Sequence, residues 1–422
     1  MAEGLTNGPA GGAAAPQLQR ALDAARQHQR AGTLNLQALP PLSLYVHLPW
    51  CLKKCPYCDF NSHALSAGAA LPQQRYLAAL TADLDAALPL VWGRRVGSVF
   101  LGGGTPSLFD PPAIAQLLAD LRARLPLEPG CEVTLEANPG TFEAARFAGF
   151  RDAGVTRLSI GVQSFDDAAL QRIGRVHDAA QARAAVEAAA GLFETFNLDL
   201  MYALPQQSLA QLRCDLDIAL SLRPPHLSVY HLTLEPNTWF ATHPPPLPDE
   251  DAASAMLDEI VARTAAAGLQ RYEVSAFAAP GHRCRHNLNY WRFGDYLGIG
   301  AGAHSKISFA HRVIRQVRWR EPARYMEQAL AGAAVSNEDE VRREALPFEF
   351  MLNALRLREG FAMADFAART GLPPSAVDTT LEQARQRGLL EIERDAIGRV
   401  AQVRPSERGF DFLSDLQAMF LA

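Results

Sequence analysis

From residue 42 the chain alternates between short apolar runs and longer Ala/Leu-rich stretches. The runs are LSLYVHL, SVFLGGG, EVTLEANP, RLSIGVQSF, FNLDLMYALP and HLSVYHLTLEP. Each is short, rich in Leu, Val, Ile or aromatic residues, and reads as a strand. Between them, 73–88, 111–124, 141–153, 178–193 and 208–222 carry the 3.6-residue spacing of helices. Strand, helix, strand repeated in this way predicts an α/β fold with a parallel sheet, and six units predict a partial (β/α)6 barrel rather than a closed one of eight.

Polar and glycine residues gather where those runs end. A cysteine loop follows the first and GGGTP the second; Glu136 and Asn138 sit on the third, Gln163 on the fourth and Asp199 on the fifth. In parallel barrels that end of the strands is where sites are built.

The flanks differ. Residues 1–40 are rich in Ala, Gly and Gln without apolar periodicity, which predicts a mostly disordered tail. The barrel is expected over 41–240. After the proline-rich THPPPLPDED, a helix near 251–267 opens an extension and linker region, 241–340, that contains HNLNYW. From 341 to 422 helices and a hairpin-like LLEIERDAIGRVAQV predict a winged-helix-like domain. Its 11 Arg against 12 acidic residues give no basic face for DNA, so a structural or partner-binding role is expected.

The formal charge of −5 also argues against a nucleic-acid binder. No apolar run reaches the roughly 18 residues of a membrane-spanning helix, and the N-terminus lacks the basic and apolar regions of a signal peptide. Six cysteines, three of them clustered, do not form a disulfide framework, so a cytoplasmic, reducing location is expected. Lysine is scarce: of Lys53, Lys54 and Lys306, two lie inside the cysteine loop.

That loop, CLKKCPYC, places Cys51, Cys55 and Cys58 close enough to grip one metal centre. Zinc is one reading, with His47 or His63 as fourth ligand; three unligated thiols is another. An iron–sulfur cubane held by three thiolates leaves one iron open, and an open position is where a metal centre does chemistry.

CLKKCPYC resembles the CxxxCxxC motif of the radical S-adenosylmethionine (SAM) enzymes, with Tyr57 as the aromatic before the last cysteine and GGGTP as the family's glycine motif. YVHLPWC, FLGGGTPS, LEANP, GVQSF, DLMYALPQQ and HNLNYW extend the resemblance across residues 42–420, to the coproporphyrinogen-dehydrogenase-like group and, within it, the HemW heme-chaperone branch. The resemblance implies a [4Fe–4S] cluster on Cys51, Cys55 and Cys58, with SAM and heme as further ligands and heme-accepting proteins as partners. It implies SAM contacts from Tyr45, Gly103, Gly104, Thr105, Glu136, Gln163, Arg175 and Asp199, with His304 at a weaker contact position. It also associates HNLNYW with heme, which makes His286 the expected axial ligand.

One position departs from the dehydrogenases themselves. They carry a further cysteine two residues after the triad, where this chain has Phe60. The alternative expectation, oxygen-independent oxidative decarboxylation of coproporphyrinogen III, is weakened accordingly.

Overall fold

The computed structural model describes residues 32–66, 68–140 and 145–421. Six parallel strands carry the barrel: β1 (Leu42–Leu48), β2 (Val96–Gly103), β3 (Leu127–Ala137), β4 (Arg157–Gln163), β5 (Thr195–Tyr202) and β6 (His226–His231). Each pairs in parallel with the next. The helices between them are α1 (Gln73–Ala87), α2 (Pro111–Arg124), α3 (Phe147–Ala153), α4 (Ala179–Leu192) and α5 (Leu209–Ser221). The helix expected over 141–153 begins at Phe147, and residues 141–144 lie outside those described.

Periodicity explains the layers. On β4, Leu158, Ile160 and Val162 are fully buried among the helices, while Arg157, Ser159 and Gly161 alternate with them and face the barrel interior. On α2, the buried Ile114, Leu117, Leu118 and Leu121 fall at i, i+3, i+4 and i+7, one apolar stripe against the sheet. Asp178 and Ser208 start α4 and α5 as capping boxes with Gln181 and Gln211, so both helices begin sharply after the site loops.

The stretch 241–340 does not stand apart. After α6 (Glu250–Ala266), β7 (Gln270–Arg271) and β8 (Ala276–Ala278) add to the β6 edge. A seventh parallel strand, β9 (Asp295–Ile299), pairs with β1 on the other side. Three antiparallel strands follow: β10 (His304–Phe309), β11 (Arg312–Arg318) and β12 (Val335–Glu340). The full order is β12-β11-β10-β9-β1-β2-β3-β4-β5-β6-β8-β7.

HNLNYW forms a short helix, α7 (Arg285–Trp291), against the N-terminal half of the barrel, and α8 (Pro322–Leu330) packs on α1. Beyond 341, helices and a hairpin of Leu390–Arg394 with Val400–Pro405 build a small three-stranded unit with Phe361–Ala362. The expected tail falls mostly outside the described residues, but its end is anchored. Leu34 and Leu36 are buried with Phe293, Val313 and Phe350, and their amides donate to the carbonyls of His311 and Ala310.

Asp295 ties the extension to the barrel. Its buried carboxylate accepts from Lys306 Nζ (2.9 Å) and from the Ser308 amide and hydroxyl (2.8 Å each), and pairs with Arg94 (2.8 Å). Burial alone would raise its pKa; the two cations and the Ser308 amide hold it below the usual carboxylate value. Asp295→Ala strands a buried ammonium, and the expected loss is about 3–5 kcal/mol in denaturant unfolding.

Candidate functional site

The C-terminal ends of the six strands surround a cavity of about 360 Å3. The cysteine loop forms one wall. It leaves β1 through Pro49 and Trp50, and the glycine turn after β2 packs directly against it. A Cβ on Gly104 would sit 2.6 Å from the Trp50 carbonyl oxygen, and one on Gly103, whose φ is +119°, 2.6 Å from the His47 ring. Only glycine fits at either place. The Gly104 and Thr105 amides donate to the Leu48 and Trp50 carbonyls (2.9 and 2.7 Å), pinning loop to turn.

Each of the three thiols lines the cavity beside a polar side chain. Thr105 Oγ1 donates to Cys51 (3.5 Å), Arg175 Nη1 approaches Cys55 (3.7 Å), and Ser62 lies 3.5 Å from Cys58. Burial lifts the Cys51 thiol above its ordinary value, and the Thr105 hydroxyl opposes that. Among the described residues no group of three or more His, Cys, Asp or Glu side chains is arranged around a single metal ion. The three thiols share one cavity, the donor set that a cubane with one open iron requires.

Opposite the loop lie the other expected contacts. Glu136 accepts from the Gly103 amide (3.0 Å). Burial pushes its pKa up to about 7, helped by Asp199 and opposed by the Gly103 amide. Asp199, also raised by burial, accepts from Asn197 (2.8 Å) and Ser159 (3.2 Å). Gln163 holds a left-handed backbone, φ 68°, at the end of β4, a conformation non-glycine residues adopt only where the surroundings impose it. Arg175 donates to Asn138 (2.5 Å) and the Gly161 carbonyl (2.6 Å), leaving a buried Nε without a partner. Tyr57 lines the same space.

Three expected residues fall elsewhere. Tyr45 bonds His47 Nδ1 (2.9 Å) and stacks on Phe100 instead of lining the cavity. His304 is exposed at the start of β10, away from it. His286 is only 2% exposed; its Nδ1 meets Ser98 (3.1 Å), its ring stacks on Phe100, and its Nε2 is buried without a partner. Burial lowers its pKa to about 3, so the ring is neutral. The imidazole is part of the packing beneath the cavity and is not presented as an open axial ligand; of HNLNYW only Asn287 reaches the cavity.

Sequence reasoning placed Asn138 at a strand end without giving it a role, and missed the polar floor below it. Asn138 receives Arg175 at one end and donates to Thr105 Oγ1 (3.0 Å) at the other, so Arg175, Asn138, Thr105 and Cys51 form one chain. Beneath it, Arg157, Ser159, Asn197, His226 and Ser228 form a polar floor in which Asn197 meets Ser159, Asp199, His226 and Ser228. The signal was present as polar residues at every second position of runs read as simply apolar. Asn61 was also missed. Its amide donates to the Ala301 and Arg320 carbonyls (2.9 and 2.8 Å), and its own carbonyl is met by His47 Nε2 (2.9 Å), closing the cysteine loop against the extension.

A parallel partial barrel with a CxxxCxxC loop at its mouth defines a radical SAM protein. Residues 45–216 match the Radical SAM superfamily and residues 341–399 the HemN C-terminal domain; the superfamily implies a [4Fe–4S] cluster and SAM. The chain is 47% identical to "Heme chaperone HemW" of Escherichia coli (strain K12) over 386 residues, 91% of this chain and 99% of that one. It is 46% identical to the protein of that name from Haemophilus influenzae, over 91% of this chain and 98% of that one. A Mus musculus relative, "Radical S-adenosyl methionine domain-containing protein 1, mitochondrial", is 38% identical over 72% of each chain. The chain belongs to the HemW family. Its fold is that of coproporphyrinogen III oxidase (HemN) from Escherichia coli, with a TM-score of 0.75 at 23% identity and 90% coverage of both chains.

Anaerobic reconstitution of wild-type protein should give about four irons and four sulfides per chain. Alanine at Cys51, Cys55 or Cys58 should abolish the broad absorption near about 400 nm expected of a cubane, whereas Ser at Cys131, Cys214 or Cys284 should leave it; stoichiometric zinc without sulfide would contradict the cubane. Asn61→Ala loses three side-chain hydrogen bonds at the loop, with Ala301, Arg320 and His63, about 1–3 kcal/mol, and should lower iron retention after gel filtration. Because Glu136 ionises near pH 7, SAM affinity measured by calorimetry should rise from pH 6 to 8, as its carboxylate becomes a pure acceptor for ribose hydroxyls, and Glu136→Gln should flatten that rise.

Proposed function

We propose that this chain is a cytoplasmic heme chaperone, which holds heme and passes it to heme-accepting proteins, using its cluster and SAM site to organise the cavity. The observation that carries this reading is the 47% identity to a protein named "Heme chaperone HemW" over almost the whole of both chains. Phe60 supports it: the position where the related dehydrogenases have a further cysteine is an aromatic side chain, 61% exposed, on the rim of the cavity. All six cysteines are free, in keeping with a reducing compartment, and no described helix is long and apolar enough to cross a membrane.

In this reading Cys51, Cys55 and Cys58 hold the cluster. Gly103, Gly104 and Thr105 bring backbone close to SAM, Arg175 faces its carboxylate, and Glu136 and Asp199 accept from its ribose hydroxyls. Tyr57 and Gln163 line the walls of that pocket. Tyr45 acts through His47, fixing the strand end from which the loop springs. When bound, the cluster supplies a one-electron reductant and an open iron. The winged-helix-like region, 341–422, with balanced charge, serves as a structural or partner-binding unit.

Hemin-loaded protein mixed with a heme-free b-type hemoprotein should transfer its heme, read as growth of the acceptor's Soret band. With reduced cluster and SAM, the chain should not convert coproporphyrinogen III to protoporphyrinogen IX; sustained turnover by chromatography would overturn the chaperone reading in favour of the dehydrogenase.

A further inference from the structure

Among the described residues fourteen large apolar side chains are exposed, and six of them line the cavity or lie within four residues in the chain of one that does: Leu52, Phe60, Val176, Tyr230, Leu234 and Trp239. Phe60 and Tyr230 line the cavity itself, and Leu52, Val176 and Leu234 adjoin lining residues in sequence. Trp239 stands on a short helix whose Phe240 amide donates to the Pro56 carbonyl (3.0 Å), so it is moored to the cysteine loop. Its indole lies flat on the His243 ring, 3.7 Å between centroids and 8° between planes. Single exposed apolar residues need no explanation, but several gathered near one opening, two of them lining it, mark a binding surface.

Within that opening is an unused imidazole. Ten of the eleven histidines are described, and eight of them engage at least one ring nitrogen in a hydrogen bond. His231 and His304 engage neither, and of these two only His231 lines the cavity. It ends β6, and its ring is steadied by edge contact with Tyr202, 5.0 Å between centroids at 67°. Partial burial lowers its pKa, which favours the neutral, ligating form. Lys53 also lines the mouth and makes no ion pair. Asp59 and Glu235 line it too and would repel an anion beside them.

We infer that heme docks across the mouth of the barrel, its ring against the apolar rim and its iron on His231, with a propionate directed to Lys53. This rests on the chaperone reading and names its site. The chemistry is complementary on every side: a flat apolar macrocycle, an open metal position and an anionic edge meet apolar side chains, a free imidazole and a free ammonium. One axial imidazole on an exposed rim gives a ligand that can be released. His286, buried and packed on Phe100, offers no such approach.

The test is titration of full-length wild type and variants with hemin and, separately, with metal-free protoporphyrin IX. His231→Ala should weaken hemin binding roughly tenfold or more and shift the Soret band, while leaving protoporphyrin affinity unchanged, since that ring makes no axial bond. Phe60→Asp should weaken both ligands. His304→Ala, the other free imidazole but off the cavity, should alter neither. Wild-type hemin affinity and spectrum in His231→Ala, or weakened hemin binding with a shifted Soret band in His286→Ala alone, would overturn this site while leaving the chaperone reading intact. No hemin binding by wild type would sink both.

Discussion

Two backbone hydrogen bonds, from Gly104 to Leu48 and from Thr105 to Trp50, join the ends of the first two barrel strands beneath the cysteine loop. They form only because positions 103 and 104 lack a Cβ, which would strike His47 or the Trp50 carbonyl. With that contact made, the thiols are fixed to the barrel. Thr105 reaches Cys51 from the turn, Asn138 steadies Thr105 from the third strand, and Arg175 reaches both Asn138 and Cys55 from beyond the fourth. A substitution at either glycine would displace the loop and unthread the chain of polar contacts with it.

The far side of the loop is held differently. His47 divides its ring between Tyr45 and the Asn61 carbonyl, and the Asn61 amide binds two carbonyls of the extension. Tyr76 bridges the His47 carbonyl (2.7 Å) and the Ala301 amide (2.9 Å), and Asp83 takes the Gly300 amide together with Arg318 and Tyr325. These buried groups are costly to leave unpaired. The extension is thereby part of the cluster's scaffold, and its strands continue the barrel sheet.

Much of this was legible in the chain. Strand runs of the right length, polar residues at their ends and a triad at CxxxCxxC spacing lead directly to a barrel with a metal site at its mouth. The polar floor was harder, because Ser159, Asn197 and Ser228 lie inside runs whose outward faces are so apolar that the alternation is masked. HNLNYW is ambiguous for the opposite reason: a His beside aromatics reads as a ligand set, and only tertiary packing puts His286 against Phe100 and Ser98. Asn61 and His231 carry no local signal, since one acts through partners some 240 residues away and the other matters for having no hydrogen bond at all.

Asn287 reaches the cavity from below while Phe60 stands at its rim, so the lining runs from floor to lip. A vessel filled through its mouth imposes a sequence on its contents. With heme docked as inferred above, a nucleoside seated among Glu136, Asp199 and the polar floor would have to arrive before the macrocycle covered the opening, and could not leave until it had gone. Cargo on the lip would then act as a stopper for the cofactor below it. The small molecule's dwell time would report whether the carrier is loaded.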